Sequence, residues 1–233
     1  MDAALPIALV GVVLAIAIAI GVLVWRAEQA RRRALASWAG AHGWSYVGSD
    51  SSWVDRLAGP PFGKGQRRRA ENVLSGTHAG LAAAAFDYAF TTYTTDSQGR
   101  PHSQDHRFAV VAMRLPVPLG WVEVTGEGLA ARLVKTVGGQ DVELESAEFN
   151  RRFRVRAHDA KLASDVLPPR TMEQLLSAAP TDWRLQDGYA VAWSDVRLNL
   201  VELTDKLSVL GLVVAGVPRF VWRQHGYDPV SPA

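Results

Sequence analysis

The chain has 233 residues, with 25 Lys and Arg against 23 Asp and Glu, six His and no Cys. This near balance of charge argues against a nucleic-acid footprint spread over a whole face, and the absence of Cys removes any thiol nucleophile. Eight Trp and 48% apolar residues exclude a disordered chain.

Ala3 to Trp25 is 23 residues without a charge, nearly all Ala, Val, Ile or Leu. At about 1.5 Å per residue such a helix is about 34 Å long, enough to cross a bilayer core of about 30 Å. A cleaved secretory signal would carry a basic stretch before a shorter apolar run. Here only Asp2 and the α-amino group precede it, so an uncleaved anchor over 1–25 is expected, with Trp25 at the interface. From Arg26 to Arg33 the chain holds four Arg and one Glu. Basic residues beside a span stay in the cytosol, which predicts the N-terminus outside and the C-terminal domain in the cytoplasm. Arg26, Arg31, Arg32 and Arg33 are the expected contacts for lipid headgroups, each worth about 1 kcal/mol near an anionic leaflet. Gly11, Ala15 and Ala19 would also allow two spans to pair closely.

A juxtamembrane helix is expected over 26–43. Ala27, Ala30, Ala34, Trp38 and Ala41 form its apolar stripe and Gly43 stops it. An α+β soluble domain follows over 44–228, and 229–233 reads as a frayed tail. Trp44 to Val47 alternates like a strand, Asp50 can cap a brief helix, and Gly59 to Gly65 reads as a loop ending in the basic run Gln66 to Arg69. Ala70 to Gly76, Leu81 to Thr94, Arg107 to Leu115 and Trp121 to Val124 then read as an antiparallel meander, with Asp96 to Gln104 a polar hairpin tip.

Asp141, Glu143 and Glu145 alternate with apolar residues, as do Arg152, Arg154 and Arg156. Pairing the two segments as strands would put three acid–base pairs on one face. Helices are expected over Asp159 to Val166 and Thr171 to Ala179. Trp183 to Gln186 and Tyr189 to Trp193 flank Asp187-Gly188, a strong two-residue hairpin signal. The last helix carries a seam of Val196, Leu200, Leu203, Leu207, Leu210, Val214 and Val217. From Leu207 to Pro218 it is uncharged but too short to span, so burial in the domain is expected, with an interfacial dip near Arg219, Phe220, Trp222 and Arg223 as the alternative.

Chemistry-bearing motifs are sparse. His102 and His106 would share a helix face as a zinc pair, with Asp96 or Asp105 as third ligand, but they follow Gly99-Arg100-Pro101 and read better as a polar loop. There is no phosphate-binding glycine loop and no nucleophile elbow. Asp87, inside the apolar run Phe86 to Phe90, is the one acid in an unexpected place, and an outward orientation is its simplest reading.

Phe86-Asp87-Tyr88, Glu148 to Val155 and Leu167 to Glu173 resemble motifs of a family of uncharacterised bacterial membrane-anchored proteins. The resemblance covers roughly 38–179 and implies the anchored architecture without any chemistry. The expected function is therefore a membrane-tethered, non-catalytic binding or scaffold module at the cytoplasmic face. It would contact membrane lipids and a protein partner but no nucleic acid, with no cofactor and no metal. A membrane-bound hydrolase using His102, Asp105 and His106 is the alternative.

Overall fold

A computed structural model describes residues 4–96, 98–126 and 138–229. The protein is α+β: a long N-terminal helix, a nine-stranded antiparallel sheet among the described residues, and short helices packed on it. Helix α1 (Ala4–Ala41) runs without a break from the apolar stretch into the domain. From Leu9 onward it is long and apolar enough to cross a membrane. Its apolar part is bare, with Leu9 to Trp25 open to the surroundings, whereas Leu35 and Ala39 are buried against the sheet. The expected stripe holds only at Trp38, which packs partly buried against the core beside Trp44; Ala27, Ala30, Ala34 and Ala41 face outward, and Arg31, Leu35 and Ala39 face in. In so alanine-rich a helix several stripes are apolar. Burial goes to the one carrying the larger transfer energy, that of Leu35, together with an ion pair.

Strands β1 (Ser45–Ser49), β2 (Gln66–His78), β3 (Leu81–Thr95) and β4 (Pro101–Arg114) form the expected meander. It is longer than read from the sequence at both ends. Gln66 to Arg69 belong to β2 and not to the preceding loop, and His102 to His106 belong to β4 and not to a hairpin tip. Between Ser49 and Gln66, Asp50 accepts from Ser52 N and caps a single 3-10 turn, Ser51–Trp53.

The meander stops at β4. Strand β5 (Val122–Gly126) pairs with β7 (Phe153–Ala157) and β8 (Asp182–Gln186), because β9 (Tyr189–Ser194) takes the free edge of β4. The order is β1-β2-β3-β4-β9-β8-β5-β7-β6, with β6 (Gln140–Asp141) at the far edge. The β8–β9 hairpin has the expected turn, with Asp187 and Gly188 both at positive φ as a type I′ turn requires.

The three-pair acid–base ladder is cut to its outer end. Asp141 sits opposite Arg156 and its carboxylate meets Arg154 at 2.8 Å, but Glu143 and Glu145 leave the strand. Ser146 accepts from Phe149 N and starts helix α2 (Ala147–Arg152). The Asn150 side chain ties both backbone groups of Leu144. A good cap and a fully buried Phe149 outweigh exposed ion pairs worth under about 1 kcal/mol each.

Helices α3 (Ala160–Val166), α4 (Pro169–Ser177), α5 (Leu200–Gly216) and α6 (Arg219–Gln224) complete the fold. Asp159 and Asn199 cap α3 and α5 through their side chains. Alternation divides the sheet into two faces. On the first, small residues (Ala83, Ala85, Ala109, Ala190, Ala192) let α1 and α5 approach closely, and Leu203, Leu207, Leu210 and Val213 of α5 are buried there. The uncharged end of α5 is therefore core. Gly76 is required on this face, because a Cβ there would lie 2.3 Å from the Trp44 ring. On the second face, Trp53, Leu57 and Phe62 cover Phe86, Tyr88, Val110, Val191 and Trp193.

Candidate functional site

Two features stand out: the junction joining the apolar helix to the sheet, and a cavity on the second face.

At the junction, Arg31 Nη1 donates to Asp87 Oδ2 at 2.9 Å and to the Leu198 carbonyl at 2.5 Å. Its Nε and Nη2 hold both oxygens of Glu28 at 3.1 and 2.7 Å. Asp87 is 4% exposed and faces inward, which corrects the outward reading. Besides Arg31 it accepts from Asn72 Nδ2 at 2.8 Å and from Leu198 N at 2.7 Å. Asn72 reaches it because β2 bulges between Glu71 and Leu74, with Asn72 at φ +52. Tyr46 OH then donates to Asn72. Glu28 also holds Arg32 and Arg197, each at 2.9 Å. A buried carboxylate with a cation and two neutral donors is fully compensated, so this cluster fixes α1 to two strands and to the loop before α5.

The four expected headgroup contacts therefore separate. Arg31 is committed to Asp87 and Leu198, Arg32 leans on Glu28, and Arg26 and Arg33 stand exposed. Among the later basic residues, Arg68 pairs with Asp55 and Arg69 with Glu71.

The cavity, about 580 Å³, is lined by Phe90, Phe108 and Trp193 beneath Lys64, Thr92, Thr94, Gln104, His106 and Asp195, with Pro61 at one side. Strand alternation makes it: Phe90, Thr92 and Thr94 share a face of β3, opposite His106, Gln104 and His102 of β4. The Phe90 ring stacks on both His106 (4.8 Å) and Phe108 (6.0 Å). His106 Nε2 lies 2.9 Å from Thr92 Oγ1. The Trp193 indole Nε1 is buried and, among the described residues, without a hydrogen-bond partner. The clue in the sequence was the run Phe90-x-Thr92-x-Thr94, but nothing local says that Lys64 and Asp195 come to meet it.

His102 and His106 do not converge. Four residues along a strand separate them by about 13 Å, and Asp105 points to the other face, where it accepts from Thr91. Asp96 caps its own turn through Gln98 N and Arg100 N. Among the described residues no group of three His, Cys, Asp or Glu is placed to hold a metal ion.

Beside the aromatic area, the second face becomes ionic. Arg184, fully buried, donates to Glu123 at 2.9 Å and to the carbonyls of Ala58 (2.7 Å) and Pro60 (3.2 Å), and lies 5.0 Å over the Trp193 ring. Burial pushes the Glu123 carboxyl up, against the pull of Arg184 and Arg156. Burial also pushes Asp182 up to about 6, with Glu123 adding to the rise and the Gly126 N–H opposing it. Among the described residues, Asp182 Oδ2 and both polar atoms of the Gln186 amide have no hydrogen-bond partner.

No protein-family model and no curated protein matches the chain. Its fold is similar to that in the crystal structure of the mycobacterial trehalose monomycolate transport factor A, TtfA. The TM-score is 0.58 at 15% identity, covering 80% of this chain and 96% of that one. At this identity the likeness is one of fold.

Proposed function

We propose that this protein is a single-pass, membrane-tethered, non-catalytic binding module whose folded domain sits at the cytoplasmic face, touching lipid headgroups and a protein partner. The observation that carries the reading is the unbroken helix α1, apolar and bare to Trp25 and then clamped to the sheet through Arg31 and Asp87. A flexible tether would leave the domain free to diffuse around its anchor; a clamp of this kind supports a domain held in one orientation to the helix. Exposed Arg26 and Arg33 stand where an anionic leaflet would attract them. A fold neighbour named as a transport factor is in keeping with an accessory role. The hydrolase reading gains nothing from His102, Asp105 and His106, which lie on two faces of one strand. The resemblance to uncharacterised bacterial membrane-anchored proteins is kept as part of this proposal.

The test is fractionation of the full chain with reporters at Ala233. The protein should stay with membranes in high salt, leave them only in detergent, and report from the cytoplasm. Asp87→Ala should keep it in the membrane but open the domain–helix junction, seen as faster hydrogen exchange at Leu198 and along α1 beyond Arg31. Recovery in the soluble fraction, or a reporter active only outside, defeats the proposal.

A further inference from the structure

The β3–β4 hairpin runs past the rest of the sheet. Strand β2 reaches β3 only as far as Thr91 and β9 meets β4 only from Ala109 onward, whereas β3 and β4 stay paired out to Thr95 and Pro101. Beyond Ser194 the chain bends at Asp195 and Val196 and crosses to the first face, where Arg197 meets Glu28 and Leu198 N meets Asp87. Alongside β4, from Phe108 back to Pro101, the line of β9 therefore carries no strand among the described residues.

The register fixes which backbone groups this leaves open. Leu115 N donates to Gly188 O at 2.8 Å, and the pairing continues without a shift to Ala109 opposite Ser194. Odd-numbered residues of β4 therefore turn their N–H and C=O toward β9, and even-numbered ones toward β3. At Ser103, Asp105 and Arg107 these groups point outward and have no backbone partner among the described residues. The stretch has no bulge and, after Pro101, no Pro or Lys to protect it. The outer strands β1 and β6, by contrast, are only five and two residues long. A two-stranded ribbon is marginal by itself, so a third strand would stabilise it.

The side chains define what fits. Arg107 and Asp105 belong to the first face; Asp105 accepts from Thr91 Oγ1, and Arg107 has no ion pair among the described residues. On the second face, His106 and Gln104 border the cavity of about 580 Å³, beside Phe108. A strand laid in the line of β9, antiparallel like every other pair in the sheet, meets Arg107 first, then His106, then Asp105. An acidic side chain opposite Arg107 and a basic one opposite Asp105 are complementary, and an unmatched strand is repelled. The residue between them faces the cavity, where an apolar side chain finds Phe108. A second copy of this chain does not fit. Two copies joined by this edge about a two-fold would point their α1 helices, packed on the sheet, in opposite directions, which one bilayer does not accommodate.

We propose that the open edge of β4 from Ser103 to Arg107 binds an extended segment of a protein partner, added as an antiparallel strand that presents acidic, apolar and basic side chains in that order to Arg107, His106 and Asp105. This deepens the binding-module reading and rests on it, giving the protein partner a place and a chemistry.

The probe is a fluorescein-labelled peptide, Ser-Thr-Glu-Leu-Lys-Thr-Thr-Ser, whose binding to the full chain in lipid nanodiscs is read by anisotropy. Exchanging its Glu and Lys should weaken binding about tenfold. N-methylation at Lys, whose N–H faces β4, should abolish binding, while N-methylation at Leu, whose N–H faces away, should change it by less than about twofold. Arg107→Glu combined with Asp105→Arg should reverse the preference between the two charge orders. Equal or stronger binding of the exchanged peptide overturns the assignment, as do equal effects of the two N-methylations or no binding to the folded chain. A dimer of the full chain, seen by native mass spectrometry and split by the peptide, also overturns it, because the occupant is then a second copy. Failure of the peptide on a chain that stays in membranes leaves the tethered module standing. A chain recovered in the soluble fraction that still shows the expected peptide preferences defeats the tether and keeps the edge site.

Discussion

The second face of the sheet is two surfaces in one. Over β3, β4 and β9 it is aromatic: Phe86, Tyr88, Phe90, Phe108 and Trp193 lie under Trp53 and Phe62. Over β5, β7 and β8 the same strand positions carry Glu123, Thr125, Arg154, Arg156, Asp182, Arg184 and Gln186. The aromatic half is held by area removed from water, which needs no particular geometry. The ionic half depends on every charge meeting its partner, and where it does not, burial works against it. The cavity opens on the aromatic side, and its floor residue Trp193 lies opposite Asp182 on the neighbouring strand.

Truncation should break the two halves in different ways. Phe86→Ala removes a fully buried ring in contact with Trp53 and should cost about 3–5 kcal/mol, measured by denaturant unfolding of the full chain in detergent. On the ionic side Arg184→Leu alone should cost about as much, because Glu123 is left buried and the Ala58 and Pro60 carbonyls lose a donor. Adding Glu123→Leu should recover most of that loss. A double variant as unstable as the single would mean that the ion pair contributes net stability, and the contrast would fail.

A smaller effect of opposite sign is expected at Asp182. Its folded pKa, about 6, lies above the ordinary 3.8. The native state therefore holds an extra proton between these values, and its stability falls as pH rises through that window. Asp182→Asn keeps the acceptor for Gly126 N and removes the charge. It should stabilise the protein by up to about 2 kcal/mol at pH 8 and leave it nearly unchanged at pH 4. A variant equally stable or less stable at pH 8 would refute the assignment. The smallest change belongs to the exposed edge. The Arg154 hydrogen bond holds the Asp141 carboxyl below its ordinary range, yet Asp141→Ala should cost under about 1 kcal/mol, and less in high salt.

Local chemistry explains where reading the sequence succeeded. The hairpin turn at Asp187-Gly188, the cap at Asp50, and the positions of α3, α4 and α5 all depend on neighbours a few residues apart. The errors concern distant competition. Trp121 to Val124 reads as a strand and is one, yet its neighbours are β7 and β8, because the β8–β9 hairpin arrives later and takes the edge of β4. Asp87 was visible as an anomaly inside an apolar run. Its explanation required Arg31 from 56 residues earlier and Leu198 from 111 residues later. Nothing of the cavity was read from the sequence; the alternation of Phe90, Thr92 and Thr94 along β3 is the one local signal that could have marked it.

By itself the sequence determined the apolar helix, the class of the domain and most element boundaries, since hydropathy, periodicity and capping act over a single turn or strand. Only the tertiary structure decided the strand order, the inward turn of Arg31 and Asp87, and the meeting of Lys64 with Asp195 around three rings. These arise from side chains far apart in the chain that compete for the same partners, and that competition is resolved only when the whole sheet closes.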